Sequence, residues 1–124
     1  MRSKQGFTLI ELLVVLAVLA TLAGLIVPRY LDRVDDAREV VLRQNLSGLR
    51  TAIDQFYRDK GHYPETLQDL VAKRYVRSVP LDPITDKTDT WVLVSPTGEG
   101  TSPVFDVRSG ADGRAKDGSN YASW

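Results

Sequence analysis

The chain has 124 residues, 16 Lys and Arg against 16 Asp and Glu, one His and no Cys. That length is one domain's worth of chain, and a net charge of zero gives no electrostatic footprint for nucleic acid. The lack of Cys and the single His exclude disulfide scaffolds, thiolate catalysis and multi-histidine metal sites. The apolar residues, an ordinary 43% overall, are heaped at the N-terminal end.

From Leu12 to Pro28 no residue is charged, and back to Phe7 the only charge is Glu11. A helix from Phe7 to Val27 would be ~31 Å long, the thickness of a bilayer's hydrocarbon core. A cleaved secretory signal has a shorter apolar core followed by a small-residue cleavage site. Here the apolar run continues past Ala20 and Ala23. A buried core helix would need both faces covered by a remainder of mostly polar character. The segment reads as a membrane span. Arg2 and Lys4 precede it, which places the N-terminus in the cytoplasm and the rest outside. A carboxylate inside hydrocarbon costs about 2.5–3.5 kcal/mol, so Glu11 either reaches the headgroups or has a dedicated positive partner. Pro28 cannot donate to the carbonyl of Gly24, itself a weak helix former, so the pair marks a soft point in the span.

Beyond Pro28 the pattern becomes amphipathic. Leu42, Leu46, Leu49, Ile53 and Phe56 form one helical stripe, and Val34, Ala37 and Val41 extend an adjoining one. Asp35, Asp36, Arg38, Glu39, Arg43, Arg50, Asp54 and Arg58 fill the other faces. One helix is expected from Phe7 to Tyr57 or Arg58, stopped by Gly61 and kept from resuming by Pro64. Residues 61–83 hold a short helix with Thr66 as N-cap and Leu67, Leu70 and Val71 as its apolar face. Pro80-Leu81-Asp82-Pro83 takes an extended or turning path. Trp91–Val94 and Val104–Val107 read as strands of an antiparallel hairpin, joined by a turn or loop at Pro96–Gly100. Trp91, Val94, Phe105 and Val107 are the expected core. The fold class is α+β: one long N-terminal helix packed on a small C-terminal antiparallel sheet with a short helix. His62 reads as a turn residue, and no Ser has a His/Asp context, which argues against an enzyme.

The run Lys4-Gln5-Gly6-Phe7-Thr8-Leu9-Ile10-Glu11-Leu12 resembles the processing site of type IV pilins and type II secretion pseudopilins. The likeness covers residues 4–31: a basic leader, Gly before the cut, an aromatic after it, then Glu and the apolar span at fixed spacing. Tyr63-Pro64, Pro80-Leu81-Asp82-Pro83, Ser109-Gly110-Ala111-Asp112-Gly113 and Trp124 extend it toward the major pseudopilin of type II secretion. The tail match is partial, because no residue separates Ser109 from Gly110.

The resemblance implies a pilin-like fold divided into a leader (1–6), an assembly helix (7–28), its amphipathic half (29–60) and a periplasmic globular region (61–124). It implies that a prepilin peptidase cuts between Gly6 and Phe7 and methylates the new Phe7 amine. Losing Arg2 and Lys4 leaves 14 positive against 16 negative side chains. Glu11 of one subunit would then pair with the Phe7 amine of a neighbour, and the helix would loosen between Gly24 and Pro28 in the filament. The implied partners are other copies of the chain, minor pseudopilins, the peptidase, an inner-membrane assembly platform and, before assembly, membrane lipid. The implied product is a periplasmic secretion pseudopilus. The alternative is a pilin of a surface filament for adhesion, motility or DNA uptake, which the absence of a Cys pair disfavours.

Calcium is the one cofactor the resemblance brings, with Asp112 and Asp117 as candidate ligands and Asp106 near in sequence. The family's acidic pair before the terminal Trp is replaced by Ser119, Asn120 and Tyr121, and Arg114 and Lys116 add opposing charge. The residues themselves read more simply as an Asx-turn loop.

Overall fold

The computed structural model describes residues 5–99 and 102–124. Two compact units meet at the Asp35–Asp36 boundary, and helix α1 (Leu9–Lys60) runs through both.

Both ends of α1 differ from the expected Phe7 and Tyr57 or Arg58. Thr8 caps the helix, because the Glu11 N–H donates to Thr8 Oγ1 at 3.1 Å, so Phe7 lies outside it. At the other end Gly61 takes φ +75°, and its N–H donates to the Tyr57 carbonyl at 2.8 Å. That left-handed stop sets the last helical residue at Lys60. In the first unit every apolar side chain from Leu9 to Val27 is exposed. The helix continues through Pro28.

The second unit has its own core. Leu42, Leu46, Leu49, Ile53 and Phe56 of α1 are buried as their spacing predicts, joined by Ala52. Val34 is half-buried, whereas Ala37 and Val41 are exposed, so the adjoining stripe is not a core face. Helix α2 (Leu67–Ala72) begins with a reciprocal cap between Thr66 and Asp69, and buries Leu67 and Leu70 on the same core. Gln68 and Asp69 fall between the two buried leucines, as a helix with one apolar face requires.

The sheet has three antiparallel strands in the order β2-β1-β3. Strand β1 (Val92–Ser95) pairs with β3 (Asp106–Arg108) in the register Val92↔Arg108, Leu93↔Val107 and Val94↔Asp106. Strand β2 (Gly98–Glu99) returns along β1 with Ser95 opposite Gly98, leaving Pro96-Thr97 as a tight turn where a longer loop was expected. Gly98 has φ +140°, a conformation for which glycine is the residue of choice. Gly100, the end of the expected loop, lies outside the described residues.

Both long strands start later than their apolar runs suggest. Trp91 and Val107 are buried as expected, and Val94 is half-buried. Phe105 is 48% exposed, and Val104 is fully buried in its stead. The cause is local. The Val104 N–H donates to the Pro64 carbonyl at 2.7 Å, outside the ladder, which turns Val104 inward ahead of β3. Phe105 then points outward and sets its ring edge on Tyr63, with centroids 5.3 Å apart.

Arg50, assigned to a charged outer face, instead ties α1 to the sheet. Its Nε donates to Asp106 Oδ1 at 2.9 Å and its Nη2 to the Val107 carbonyl at 3.0 Å. A second tie is fully buried. Asp82 Oδ1 accepts from the N–H groups of Ile84 (2.9 Å) and Thr85 (3.3 Å), and Oδ2 accepts from Ser109 Oγ at 2.6 Å. The Pro80–Pro83 segment is therefore an Asx turn whose free oxygen reaches across to the C-terminal tail.

Candidate functional site

The residues with expected roles fall in two places, one in each unit. At the N-terminus, Gln5–Thr8 precede the helix without regular structure. Gly6 is exposed with open space about it, and Phe7 is 86% exposed. Among the described residues nothing therefore crowds the peptide bond between them. The leader residues 1–4, with Arg2 and Lys4, lie outside the described residues.

Glu11 is not an isolated carboxylate. Its Oε2 accepts from the Thr8 N–H at 3.1 Å, while Thr8 Oγ1 accepts from the Glu11 N–H at 3.1 Å. This is a capping box, in which two N–H groups orphaned by the start of the helix are satisfied reciprocally. It also sets a negative group at the positive end of the helix dipole. The signal was present in the sequence as Thr8-x-x-Glu11 ahead of an apolar run, and the reading of Glu11 by charge alone passed over it. Further along, the Thr21 hydroxyl donates to the Ala17 carbonyl at 2.9 Å, which keeps that polar group satisfied within the apolar stretch. Among the described residues a Cβ at Gly24 would meet no other side chain within 4 Å.

The second place is the C-terminal loop. Ser109, Ala111 and Ala115 are buried and anchor it, while Asp112 and Asp117 are exposed. Gly110 passes so close to the backbone of Thr90 that a Cβ there would collide with the Thr90 carbonyl oxygen. Asp117 Oδ1 accepts from the N–H of Ser119 at 2.9 Å and from its hydroxyl, which is the expected Asx turn. Asp117 Oδ2 faces Arg43 Nη2 at 3.5 Å. The Ser119 hydroxyl, its N–H and the Arg43 guanidinium hold the Asp117 carboxyl below its ordinary value. Asp106 is drawn away to Arg50. Among the described residues no group of three or more His, Asp or Glu side chains gathers in metal-binding geometry. Calcium takes six to eight hard oxygens, and both oxygens of Asp117 already meet protein donors.

A helix with an uncovered apolar half, an open Gly-Phe bond before it and a small sheet packed on its other half defines a pilin-like filament subunit. Residues 1–27 match the prokaryotic N-terminal methylation motif, and residues 29–123 match type II secretion system (T2SS), protein G. The chain belongs to the type II secretion protein G family, the major pseudopilins, and is a structural subunit of that system. It is 32% identical to the type II secretion system core protein G of Pseudomonas aeruginosa, over 98% of this chain and 93% of the relative. The core proteins G of Klebsiella michiganensis and Vibrio cholerae are 30% and 29% identical, over 99% and 100% of this chain and 94% of each relative. No solved structure gives a significant match.

Proposed function

We propose that the chain is made as a precursor anchored in the inner membrane, N-terminus cytoplasmic, and polymerises into a periplasmic pseudopilus that drives protein secretion. Prepilin peptidase removes residues 1–6 between Gly6 and Phe7 and methylates the new amine. The mature chain then joins other copies, with minor pseudopilins, at an inner-membrane assembly platform. The observation that carries this reading is the exposed apolar half of α1 beside a second unit with a complete core of its own. The apolar side chains of Leu9–Val27 are exposed among the described residues, so lipid covers them before assembly and neighbouring helices cover them afterwards.

Glu11 has a defined part in that exchange. In the monomer its carboxylate is held by the Thr8 N–H. Cleavage creates a cationic amine at Phe7, and pairing that amine with Glu11 of the next subunit sets the axial offset between copies. An unpaired carboxylate in the filament core would be penalised by several kcal/mol, roughly the 3–5 kcal/mol of a broken buried pair. The test is Gly6→Leu and Glu11→Ala, each expressed with the secretion machinery. Gly6→Leu should accumulate as uncut precursor, and Glu11→Ala should be cut but fail to form sheared filaments. If both variants yield filaments at the wild-type level, the proposal fails.

A further inference from the structure

The loop after β3 is fastened to α1 by a set of contacts that the secretion role does not explain. Asp36, Glu39 and Arg43 follow one another along one face of α1, at helical spacing. Each meets the loop. Lys116 Nζ lies 2.7 Å from Asp36 Oδ1. Glu39 Oε1 accepts from the Lys116 N–H at 3.0 Å and from the Tyr121 hydroxyl at 3.0 Å. The Arg43 guanidinium carbon sits 4.0 Å from the Trp124 ring centroid, while Nη2 faces Asp117. Trp124 Nε1 donates to Ser119 Oγ at 2.8 Å, and Ser119 donates to Asp117, so the terminal Trp, the Asx turn and the guanidinium form one closed ring of contacts. Tyr121 sets its ring edge against Trp124 with centroids 5.2 Å apart.

We infer that Arg43 is the cation of this loop: held between the Asp117 carboxylate and the Trp124 ring, it closes the loop onto α1 without a metal ion. The assignment follows from which oxygens are engaged. The Asp117 oxygens are taken by Ser119 and Arg43, and the carboxylates of Asp36 and Glu39 both serve Lys116. A dication entering the loop would have to displace a guanidinium and approach an ammonium group. A guanidinium over an aromatic face, with a carboxylate in reach, supplies the same charge neutralisation with planar geometry and no exchangeable ligand. Where calcium would let its concentration govern the loop, Arg43 makes the closure a fixed property of the chain.

The experiment uses the full mature chain in non-ionic detergent, with thermal unfolding followed by circular dichroism and Trp emission. Wild type should melt at the same temperature in millimolar calcium and in chelator. Arg43→Met keeps the apolar stem and removes the charge. Asp117→Asn keeps an acceptor for Ser119 and removes the charge that faces Arg43. Each should lower the melting temperature by a few degrees, and the double variant should be no worse than the poorer single, because both break one contact. A melting temperature that rises with calcium and falls in chelator would overturn the inference. So would an Arg43→Met protein that melts like wild type, or strict additivity of the two substitutions.

Discussion

Removing the Ser109 hydroxyl should unseat the C-terminal tail. Ser109 Oγ donates to Asp82 Oδ2 at 2.6 Å and accepts from the Ala111 N–H at 3.1 Å, and both Asp82 and Ser109 are fully buried. Ser109→Ala therefore breaks one charge-assisted bond and one neutral bond at a place without solvent to replace them. A hydrogen bond to a charged group contributes about 1.5–3 kcal/mol, and a buried amide left unsatisfied costs about 1–3 kcal/mol. Together these predict a loss of about 2.5–6 kcal/mol, less whatever the tail recovers by shifting. For a folded unit of this size, 36–124, each kcal/mol moves the melting temperature by about 4–8 °C. Before any such recovery the expected fall is about 10 °C or more in a circular dichroism melt of the full chain. Ser78→Ala, at an exposed position, should stay within about 0.5 kcal/mol of wild type and serves as the control. A Ser109→Ala protein that loses less than about 4 °C would refute the idea that the Asp82–Ser109 contact holds the tail.

Gly110→Ala should cost about 1–3 kcal/mol, since its Cβ meets the fixed carbonyl of Thr90 and the backbone must move; thermal melting checks it. Thr8→Val should remove the cap on Glu11 and fray the first turn, with a cost of about 0.5–2 kcal/mol, whereas Thr8→Ser should retain it. Amide hydrogen exchange at Leu9–Leu12 in micelles reads that difference. Acid should loosen the C-terminal loop. The Asp117 carboxyl is lowered by the Ser119 hydroxyl, its N–H and Arg43, so its contribution is present above the ordinary value of 3.8 and is lost as pH falls through the lowered one. Trp emission followed below pH 4 should change in wild type and much less in Asp117→Asn, where that group does not titrate.

The stripe Leu42, Leu46, Leu49, Ile53 and Phe56 was legible because a helix writes its buried face into the sequence at intervals of three and four. The caps at Thr66 and Gly61 were legible for the same reason: each acts on residues a turn away. The strand residues were harder. Alternation alone puts Phe105 with Val107 in the core, but the hydrogen bond from Val104 to Pro64 delays the ladder and reverses the choice. That bond joins residues far apart in sequence, and no local pattern announces it. The same holds for Asp82 with Ser109 and for Arg43 with Asp117. In each case the residue types promised a turn, and the fold supplied the distant partner. The N-terminal site is the reverse case. Gly6 and Phe7 were singled out by the resemblance to a prepilin processing site, and Glu11 by its charge inside the apolar run, both one-dimensional properties. What was missed there, the Thr8–Glu11 cap, was one-dimensional as well.

In the proposed assembly a cut and methylated chain, beginning at Phe7, is the unit of a secretion filament. Mass spectrometry of the N-terminal peptide from sheared filaments tests it most directly. The expected peptide starts at N-methylated Phe7 and lacks Arg2 and Lys4. Filaments whose subunits still begin at Met1 would contradict it.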